Sequence, residues 1–210
     1  MNNVVALGET QLLLVEDNAG DVELIRALLE KEDTTIAVSH APDITAAIAM
    51  LNDKSFNAVL LDLSLPDAND LEGFFSIQNM DPTLPIVVLT GRDDEALALK
   101  AMANGTQDYL IKDKIQGTTL RIAIHYAIQR KRFEDSITRQ ANFDSLTGLT
   151  NRALFEHRLD MAIARSKRSQ KGVGLLFLDL NDFKHVNDTL GHAAGDMLLK
   201  ELAGRMAQCV

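Results

Sequence analysis

The sequence of 210 residues contains one cysteine, no tryptophan and only four prolines. The single cysteine, Cys209, cannot form a disulfide within the chain, which is typical of proteins in a reducing cytosol. No apolar run approaches the roughly 20 residues of a membrane-spanning helix. Residues 1–9 also lack the basic start and apolar core of a signal peptide. We therefore expect a cytoplasmic protein with no membrane partner.

The chain also lacks an excess of basic residues. Its formal net charge is −9, and residues 1–132 account for it with 20 acidic and 11 basic side chains. An acidic surface does not attract the phosphate backbone of nucleic acids. Two short basic runs, residues 130–132 and 165–171, have no interleaved aromatic side chains and are typical of solvated helix faces. We expect no nucleic-acid partner and attribute part of the acidity to a metal site.

Short apolar runs alternate with amphipathic segments between residues 11 and 113. Buried strands are predicted at residues 12–15, 35–39, 58–61, 86–89 and 109–111. Helices are predicted between them because apolar residues recur there at helical spacing, with the third at residues 71–79 and the fourth at 94–104. Five such repeats predict an α/β fold with a doubly wound parallel sheet.

Polar residues follow four of the predicted strands. Glu16 and Asp17 come directly after the first, Asp62 ends the third, Thr90 ends the fourth and Lys112 follows the fifth. The carboxyl ends of the strands in an open parallel sheet lie along one edge, where ligands bind. We therefore expect these five side chains to lie close together.

This set of side chains favours phosphoryl-transfer chemistry. Asp17 and Asp62 would repel each other unless a cation neutralised them, and Mg²⁺ prefers oxygen ligands of this kind. Beside the metal, the Asp62 carboxylate can attack a phosphoryl donor as a nucleophile. The charge of the transferred group then requires hydrogen-bond donors, which Lys112 and the Thr90 hydroxyl would supply.

The segments around these residues resemble those of a known family. The similarity lies in residues 14–17 (LVED), 61–67 (LDLSLPD), 89–91 (LTG) and 108–112 (DYLIK), in this order and spacing. Over roughly residues 10–132 the chain is similar to the receiver domain of bacterial two-component response regulators. The resemblance implies a flavodoxin-like fold with a five-stranded parallel sheet. It also implies a phosphoryl donor, either a sensor histidine kinase or a phosphotransfer protein.

The resemblance assigns roles to the acidic residues. Asp62 would be the phosphorylated residue. Asp17 and Asp62 would hold Mg²⁺ together with the carbonyl group of Ser64, and Glu16 would assist through a water molecule.

The same resemblance makes Thr90 and Lys112 the contacts of the phosphoryl group. Tyr109 would act as a switch, because a phosphate attracts the Thr90 hydroxyl and vacates space into which the ring turns. Two positions depart from the family pattern. Asp113 stands where a proline often follows the lysine, and the glycine usual beyond the phosphoacceptor is replaced around Asp70. The loop after Lys112 and the loop after Asp62 are therefore expected to differ in shape from those of the family.

From about residue 118 a helical pattern continues past the last repeat. Four apolar residues recur at nearly heptad spacing, namely Ile122, Tyr126, Phe133 and Ile137, and no proline or glycine occurs before Gly148. One interpretation is a last domain helix with a frayed end. The interpretation that we favour is a continuous helix that pairs with a second copy. We therefore expect a homodimer formed through the receiver and this linker helix.

A second unit is predicted to begin near residue 142. Residues 144–152 are rich in turn formers, and residues 172–178 predict a buried strand. A loop or short helix is predicted around residue 183, and another helix from about residue 194. Asp179, after the strand, can hold a metal on a triphosphate, and Lys184 can hold phosphate oxygens. Asn187 and Asp196 together can bind the edge of a guanine base. The alternative is an ordinary turn rich in Asp and Asn before a solvated helix.

This second unit resembles the start of the GGDEF (diguanylate cyclase) domain. The similarity lies in residues 144–152 (DSLTGLTNR), 178–184 (LDLNDFK), 187–188 (ND), 191–192 (GH) and 195–196 (GD). Such domains join two GTP molecules into cyclic di-GMP. The family pattern implies that Asp179 binds a metal, that Phe183 and Lys184 hold phosphates, and that Asn187 and Asp196 read guanine.

The two resemblances divide the chain into a receiver domain (residues 1–117), a linker helix (118–141) and a truncated GGDEF domain (142–210). We expect a response regulator in which phosphorylation of Asp62 controls a diguanylate cyclase that uses GTP in the full-length parent. The alternative is a non-catalytic phosphoacceptor or adaptor module with a degenerate GGDEF domain. The Gly-Gly-Asp/Glu-Glu-Phe signature does not occur in the 210 residues. We therefore expect them to make no cyclic di-GMP and to leave the apolar face of residues 175–178 uncovered.

Overall fold

The computed structural model describes residues 10–69, 71–91 and 95–209, with the backbone only at 95, 96 and 98. The chain divides into two compact units, Met1–Asp135 and Ser136–Val210. Among the described residues, no helix is both long and apolar enough to span a bilayer. The predicted helix start at Asp94 and the glycine replacement around Asp70 lie outside the described residues.

The first unit contains a five-stranded parallel sheet in the order β2-β1-β3-β4-β5. The strands are β1 (Thr10–Val15), β2 (Ile36–Ala41), β3 (Ala58–Asp62), β4 (Ile86–Thr90) and β5 (Asp108–Ile111). The helices are α1 (Ala19–Glu32), α2 (Ile44–Asp53), α3 (Glu72–Met80), α4 (Glu95–Ala103) and α5 (Gly117–Asn142), with a 3-10 turn at Lys112–Lys114. The predicted doubly wound parallel sheet is confirmed. Its strand order reverses between β1 and β3, where sheets of this kind bind ligands.

Helices cover both faces of the sheet because its central strands are apolar on both sides. Every residue of β3 and β4 is buried, as expected for central parallel strands. Leu13 and Val59 belong to one apolar layer, which packs against α2, α3 and α4. Leu12 and Leu60 belong to the opposite layer, which packs against α1 and α5. The two layers fix the relative positions of the strand ends, and thus of the residues that follow them.

Side-chain caps begin the first two helices. Asn18 Oδ1 accepts hydrogen bonds from the amides of Gly20 and Asp21, at 2.9 and 3.4 Å. Asp43 Oδ1 accepts one from the Ala46 amide at 2.7 Å. Replacing a cap of this kind by alanine costs about 1 kcal/mol. Because both caps lie close after a strand, the connecting loops are short and stay near the sheet edge.

Helix α5 has 26 residues, with buried apolar side chains in its first half and exposed ones along its length. Near its start, Leu120, Ile124 and Ile128 pack onto the sheet. The four residues with near-heptad spacing have exposed side chains, namely Ile122 (55%), Tyr126 (61%), Phe133 (67%) and Ile137 (66%). At 1.5 Å per residue the helix is about 39 Å long. The prediction of a continuous helix is confirmed, and its pairing with a second copy stays a prediction.

The second unit contains the helices α6 (Arg152–Ser169), α7 (Phe183–Leu190) and α8 (His192–Gln208). Polar side chains hold the turn before α6. Asp144 Oδ1 accepts hydrogen bonds from the amide and hydroxyl of Thr147, at 2.8 and 2.7 Å. Asn151 accepts one from the Leu154 amide at 3.1 Å and donates one to the Ala141 carbonyl at 2.7 Å. Asn151 therefore connects the end of α5 to the start of α6.

The prediction of a strand at residues 172–178 was wrong, because this segment has no regular secondary structure. Its side chains are largely exposed, at 78% for Leu176, 85% for Phe177 and 67% for Leu178. A strand needs a neighbour to satisfy its backbone groups, and no part of the chain that the structure describes pairs with these residues. The expectation that residues 175–178 are uncovered is confirmed.

Asp33 connects the end of α1 to α5. Its Oδ1 accepts hydrogen bonds from the hydroxyl and amide of Thr35, at 2.6 and 3.0 Å, and its Oδ2 lies 3.0 Å from His125 Nε2. These contacts, those of Thr35 first, lower the pKa of Asp33 from 3.8 to about 2. At the start of α5, a Cβ on Gly117 would lie 2.9 Å from the Leu28 carbonyl oxygen. A polar contact and a close backbone approach thus hold α5 to α1.

We expect Asp33 to stabilise the first unit in a pH-dependent manner. Its folded-state pKa lies below the ordinary 3.8, so its contribution is present above that pH and is lost as the pH falls through about 2. Asp33→Asn should lower the free energy of unfolding by about 1–2 kcal/mol near neutral pH. Denaturant unfolding at a series of pH values measures this difference, with Asp53→Asn, an exposed position on α2, as the control. If the difference in free energy of unfolding between the unsubstituted chain and Asp33→Asn stays the same as the pH falls toward 2, the expectation is contradicted.

Candidate functional site

The acidic residues of the predicted site lie together at the carboxyl ends of β1 and β3. These strands are parallel neighbours, with Val15 beside Leu61, so the residues that follow them share one edge of the sheet. Carboxylate oxygens of Glu16, Asp17 and Asp62 all lie within 4.8 Å of one another. Glu16 and Asp62 are buried, whereas Asp17 is exposed. The convergence predicted from strand order is confirmed for these three side chains.

The ammonium group of Lys112 lies among these carboxylates. Its Nζ is 2.7 Å from Glu16 Oε2, 3.0 Å from Asp62 Oδ2 and 3.0 Å from Asp21 Oδ2. Burial favours the neutral amine, but the contacts with Glu16, Asp62 and Asp21 outweigh it and raise the pKa of Lys112 above its ordinary value. Lys112 is therefore a permanent cation at neutral pH.

Glu16 combines full burial with a carboxylate oxygen that lacks an aligned hydrogen bond among the described residues. Burial raises the pKa of Glu16 above its ordinary value, and the charge of Asp62 acts in the same direction, while Lys112 opposes both. Its Oε1 accepts a hydrogen bond from the Asn18 amide at 3.2 Å. Its buried Oε2 accepts no aligned hydrogen bond from the described residues, although Lys112 Nζ lies 2.7 Å away. This contact is an ion pair, and it leaves Oε2 able to face a further cation.

The donor set fits a hard divalent cation. The carboxylates of Glu16, Asp21 and Asp62 contact one ammonium group, and that of Asp17 lies beside Glu16 and Asp62, so the acidic groups outnumber the single cation. Mg²⁺ takes oxygen ligands and usually keeps several waters. A cluster with one exposed carboxylate and one incompletely satisfied buried oxygen suits that preference. Glu16, Asp17 and Asp62 are the side chains that would hold the ion.

Three other predicted residues have different surroundings. Thr90 is fully buried at the end of β4, and its hydroxyl donates a hydrogen bond to the Gly91 carbonyl at 3.1 Å rather than to Asp62. The Ser64 amide donates to Asp62 Oδ1 at 3.2 Å, which orients the carboxylate. Tyr109, on β5, is half-buried and packs against the apolar layer beneath α2, α3 and α4. The structure thus brings Lys112 to Asp62 and leaves Thr90 turned to the backbone.

Two residues that contact the cluster were not predicted from the sequence. Asp21 contacts Lys112 from the first turn of α1, and His40 Nε2 lies 2.7 Å from the Glu16 carbonyl oxygen. An acidic residue in the first turn of a helix that follows a site-bearing strand is a signal that could have identified Asp21. His40 gives no comparable signal, because its contact depends on the pairing of β1 with β2.

The predicted nucleotide-binding residues of the second unit are brought together only in part. Phe183 and Asn187, on α7, pack against Gly195 near the start of α8. A Cβ on Gly195 would overlap Asn187 Oδ1 and lie 3.2 Å from Phe183 Cζ. Asp196 follows Gly195 in the chain and so lies beside this contact. The glycine therefore allows the two helices to approach closely.

The remaining two predicted residues of this unit, Asp179 and Lys184, are exposed. Asp179 lies in the irregular segment at the point where a strand was expected to end, so no sheet edge fixes its position. Among the described residues, neither side chain forms a hydrogen bond or ion pair with the predicted guanine-binding residues. Their roles in metal and phosphate binding stay predictions.

Two family models match the chain. The response regulator receiver domain matches residues 12–125, and the diguanylate cyclase, GGDEF domain matches residues 141–210. Response regulator PleD of Caulobacter vibrioides is 26% identical over 215 residues, which cover 95% of this chain and 45% of PleD. Diguanylate cyclase TpbB of Pseudomonas aeruginosa is 46% identical over 71 residues, which cover 34% of this chain and 16% of TpbB. The chain thus spans less than half the length of either relative.

A solved structure agrees with the fold of the first unit. The crystal structure of a response regulator receiver domain protein from Clostridium thermocellum matches with a TM-score of 0.54 and 27% sequence identity, covering 60% of this chain and 98% of that chain. The receiver model matches more than half of the chain, and the five-stranded parallel sheet of this chain carries Glu16, Asp17 and Asp62 at the carboxyl ends of its strands. The chain therefore belongs to the response regulator receiver family, and it continues into a GGDEF domain at residues 141–210.

Proposed function

We propose that Asp62 accepts a phosphoryl group and thereby controls a diguanylate cyclase output. The observation that carries this proposal is the position of the buried Asp62 carboxylate. It lies 3.0 Å from the Lys112 ammonium group and within 4.8 Å of carboxylate oxygens of Glu16 and Asp17. A nucleophilic carboxylate beside a cation site and a fixed ammonium group has the parts that phosphoryl transfer requires. The proposed donor is a sensor histidine kinase or a phosphotransfer protein.

In the proposed reaction, an Asp62 oxygen forms a bond to the phosphorus atom of the donor. The bond between phosphorus and the leaving group breaks, and the leaving group keeps its electron pair. Glu16, Asp17, Asp62 and the Ser64 carbonyl would hold Mg²⁺, which neutralises charge on the phosphoryl oxygens when it is bound. Lys112 donates to one of these oxygens and holds the group in line with the attacking carboxylate.

The proposed switch uses Thr90 and Tyr109. The Thr90 hydroxyl donates to the neutral carbonyl of Gly91, and a phosphate on Asp62 is a stronger acceptor. Movement of the hydroxyl toward the phosphate frees space beside β4. The ring of Tyr109, which is half-buried on the neighbouring β5, then turns into that space.

The proposed output is synthesis of cyclic di-GMP from two GTP molecules by the full-length protein. Its support is the match of residues 141–210 to the GGDEF family and the similarity to PleD and TpbB. Because the chain spans less than half of each relative, the activity is proposed for the whole protein. The alternative is a phosphoacceptor or adaptor with a degenerate GGDEF domain. An intact Gly-Gly-Asp/Glu-Glu-Phe signature in the full-length sequence would favour the enzyme.

A homodimer is proposed as the means by which two GTP molecules meet. A product made from two substrates that are held by separate copies requires those copies to approach each other. The four exposed apolar residues of α5 recur at steps of four and seven residues, which is typical of a coiled-coil contact. We propose that this stripe, together with the receiver, forms the contact between copies.

Asp62→Asn should abolish phosphorylation. Acetyl phosphate with Mg²⁺ is expected to add one phosphoryl group to the unsubstituted chain and none to the variant, since an amide oxygen is a poor nucleophile. Intact-mass spectrometry measures the addition. The control Asp53→Asn, at an exposed position on α2, should react normally. A phosphorylated Asp62→Asn chain would refute the assignment of the phosphoacceptor.

Lys112→Met should separate metal binding from phosphoryl transfer. The ammonium group competes with Mg²⁺ for the same carboxylates, so its removal should strengthen Mg²⁺ binding by about tenfold. The rate of phosphorylation should fall by about 100-fold, because the transferred group loses a donor. Calorimetric titration and mass spectrometry measure the two effects. Lys114→Met, at an exposed position in the same 3-10 turn, is the matched control, and weaker Mg²⁺ binding by Lys112→Met would count against this account.

Replacing two residues of the α5 stripe should weaken self-association. Tyr126→Ser with Phe133→Ser removes large apolar side chains that are 61% and 67% exposed, so the dimer dissociation constant should rise by at least about tenfold. Sedimentation velocity at several concentrations measures this constant. Leu24→Ser, at a half-exposed apolar position on α1, controls for general surface polarity. If Phe177→Ser dissociates the dimer and the α5 variant does not, the proposed interface is wrong.

A further inference from the structure

We propose that Asp67 is a positioning residue that ties the loop after Asp62 to the start of α2 and thereby holds the Ser64 carbonyl in place for metal binding. This inference rests on the proposed function, since it concerns the site at which Asp62 would be phosphorylated. Asp67 itself would touch neither the metal nor the phosphoryl group.

Both carboxylate oxygens of Asp67 bind the same helix end. Oδ1 accepts a hydrogen bond from the Ile44 amide at 3.1 Å, and Oδ2 accepts two from the amide and hydroxyl of Thr45, both at 3.1 Å. The first amides of a helix have no partner within the helix, and a negative charge is favourable there. Although burial acts to raise it, these hydrogen bonds lower the pKa of Asp67, because they stabilise the charged carboxylate.

Apolar packing holds the same loop to α2. Leu63 and Leu65 are each 5% exposed and belong, with Ile44, to the apolar layer beneath α2, α3 and α4. At the start of α3, a Cβ on Gly73 would lie 2.7 Å from Ile44 Cδ1. The first turn of α2 thus contacts the loop in two ways. Asp67 accepts hydrogen bonds from it, and Leu63 and Leu65 pack in the same layer as Ile44, beside which Gly73 lies.

The anchored loop carries a group that the metal site needs. Only residues 63–66 separate Asp62 from Asp67, and the Ser64 amide already donates to Asp62 Oδ1 at 3.2 Å. We infer that a displacement of Asp67 is transmitted through residues 65 and 66 to the peptide group that carries the Ser64 carbonyl. Because Mg²⁺ demands near-octahedral ligand geometry, such a displacement weakens binding even though every ligand is still present.

Asp43 provides a matched control on the same helix. Its carboxylate also caps α2, by accepting a hydrogen bond from the Ala46 amide at 2.7 Å. Asp43 belongs to the loop between β2 and α2, however, and not to the loop after Asp62. Asp67→Ala and Asp43→Ala therefore both weaken the start of α2, and only the first releases the loop.

The experiment measures the Mg²⁺ dissociation constant of the full chain by titration calorimetry, with thermal unfolding of each variant in parallel. Asp67→Ala should weaken Mg²⁺ binding about tenfold, because the loss of a residue that supports a metal ligand typically lowers affinity by at least about that factor. Asp43→Ala should weaken it less than about twofold. Asp67→Asn keeps one acceptor oxygen and should fall between them. If Asp67→Ala does not fold, Asp67→Asn is compared with Asp43→Asn in the same way.

Equal Mg²⁺ dissociation constants for the two matched variants would overturn the inference, because Asp67 would then act only as a helix cap. Treatment of the unsubstituted chain with acetyl phosphate distinguishes this result from a failure of the proposed function. If the chain binds Mg²⁺ but Asp62 is not phosphorylated, the proposed function fails, and the Mg²⁺ constants still decide the role of Asp67. Absence of Mg²⁺ binding by the unsubstituted chain would overturn both.

Discussion

The ammonium group of Lys112 is the constraint on which the candidate site depends. It lies within 3.0 Å of oxygens of Glu16, Asp21 and Asp62, which would otherwise repel one another with little water to screen them. Removing one partner from a buried ion pair costs several kcal/mol, because the remaining charge is left without compensation. Lys112 can reach these acids only because β5 and β3 flank the same strand, β4. The electrostatics of the site are therefore a direct result of strand order, which the apolar layers on both faces of the sheet maintain.

Side-chain hydrogen bonds hold the loops at the carboxyl edge of the sheet in place. Asn18 begins α1 close after β1, and its own amide donates to Glu16. Asp67 carries the loop after β3 onto α2, and Asp33 holds α1 to α5. Each of these side chains supports a segment that bears or adjoins a site residue. The site is thus supported by short side-chain to backbone contacts between neighbouring elements, and the proposed phosphorylation would act on a set of loops whose positions are already fixed.

The sequence predicted the fold where burial alone decides the structure. The apolar runs of β3 and β4 are buried on both faces, so their composition indicated strands, and strand order then indicated that Glu16, Asp17 and Asp62 meet. The edge strand β2 extends to Ala41, two residues beyond its predicted end, because edge strands are less buried and their limits depend on pairing. Residues 172–178 are as apolar as β3 but have no neighbouring strand among the described residues, and composition cannot reveal that. The contacts of His40 and Asp67 depend on distances between elements far apart in the chain, and no local pattern encodes them.

Lys112 also has a consequence for how the protein would respond to its ionic surroundings. This side chain supplies a positive charge from within the chain, so part of the repulsion among the buried acids is compensated without a divalent ion. Under the proposed function, a fall in magnesium would slow phosphorylation of Asp62 while Lys112 continued to compensate the buried acids. The proposed phosphorylation would thus be interrupted by loss of the ion, and return of the ion would restore it in the same molecules.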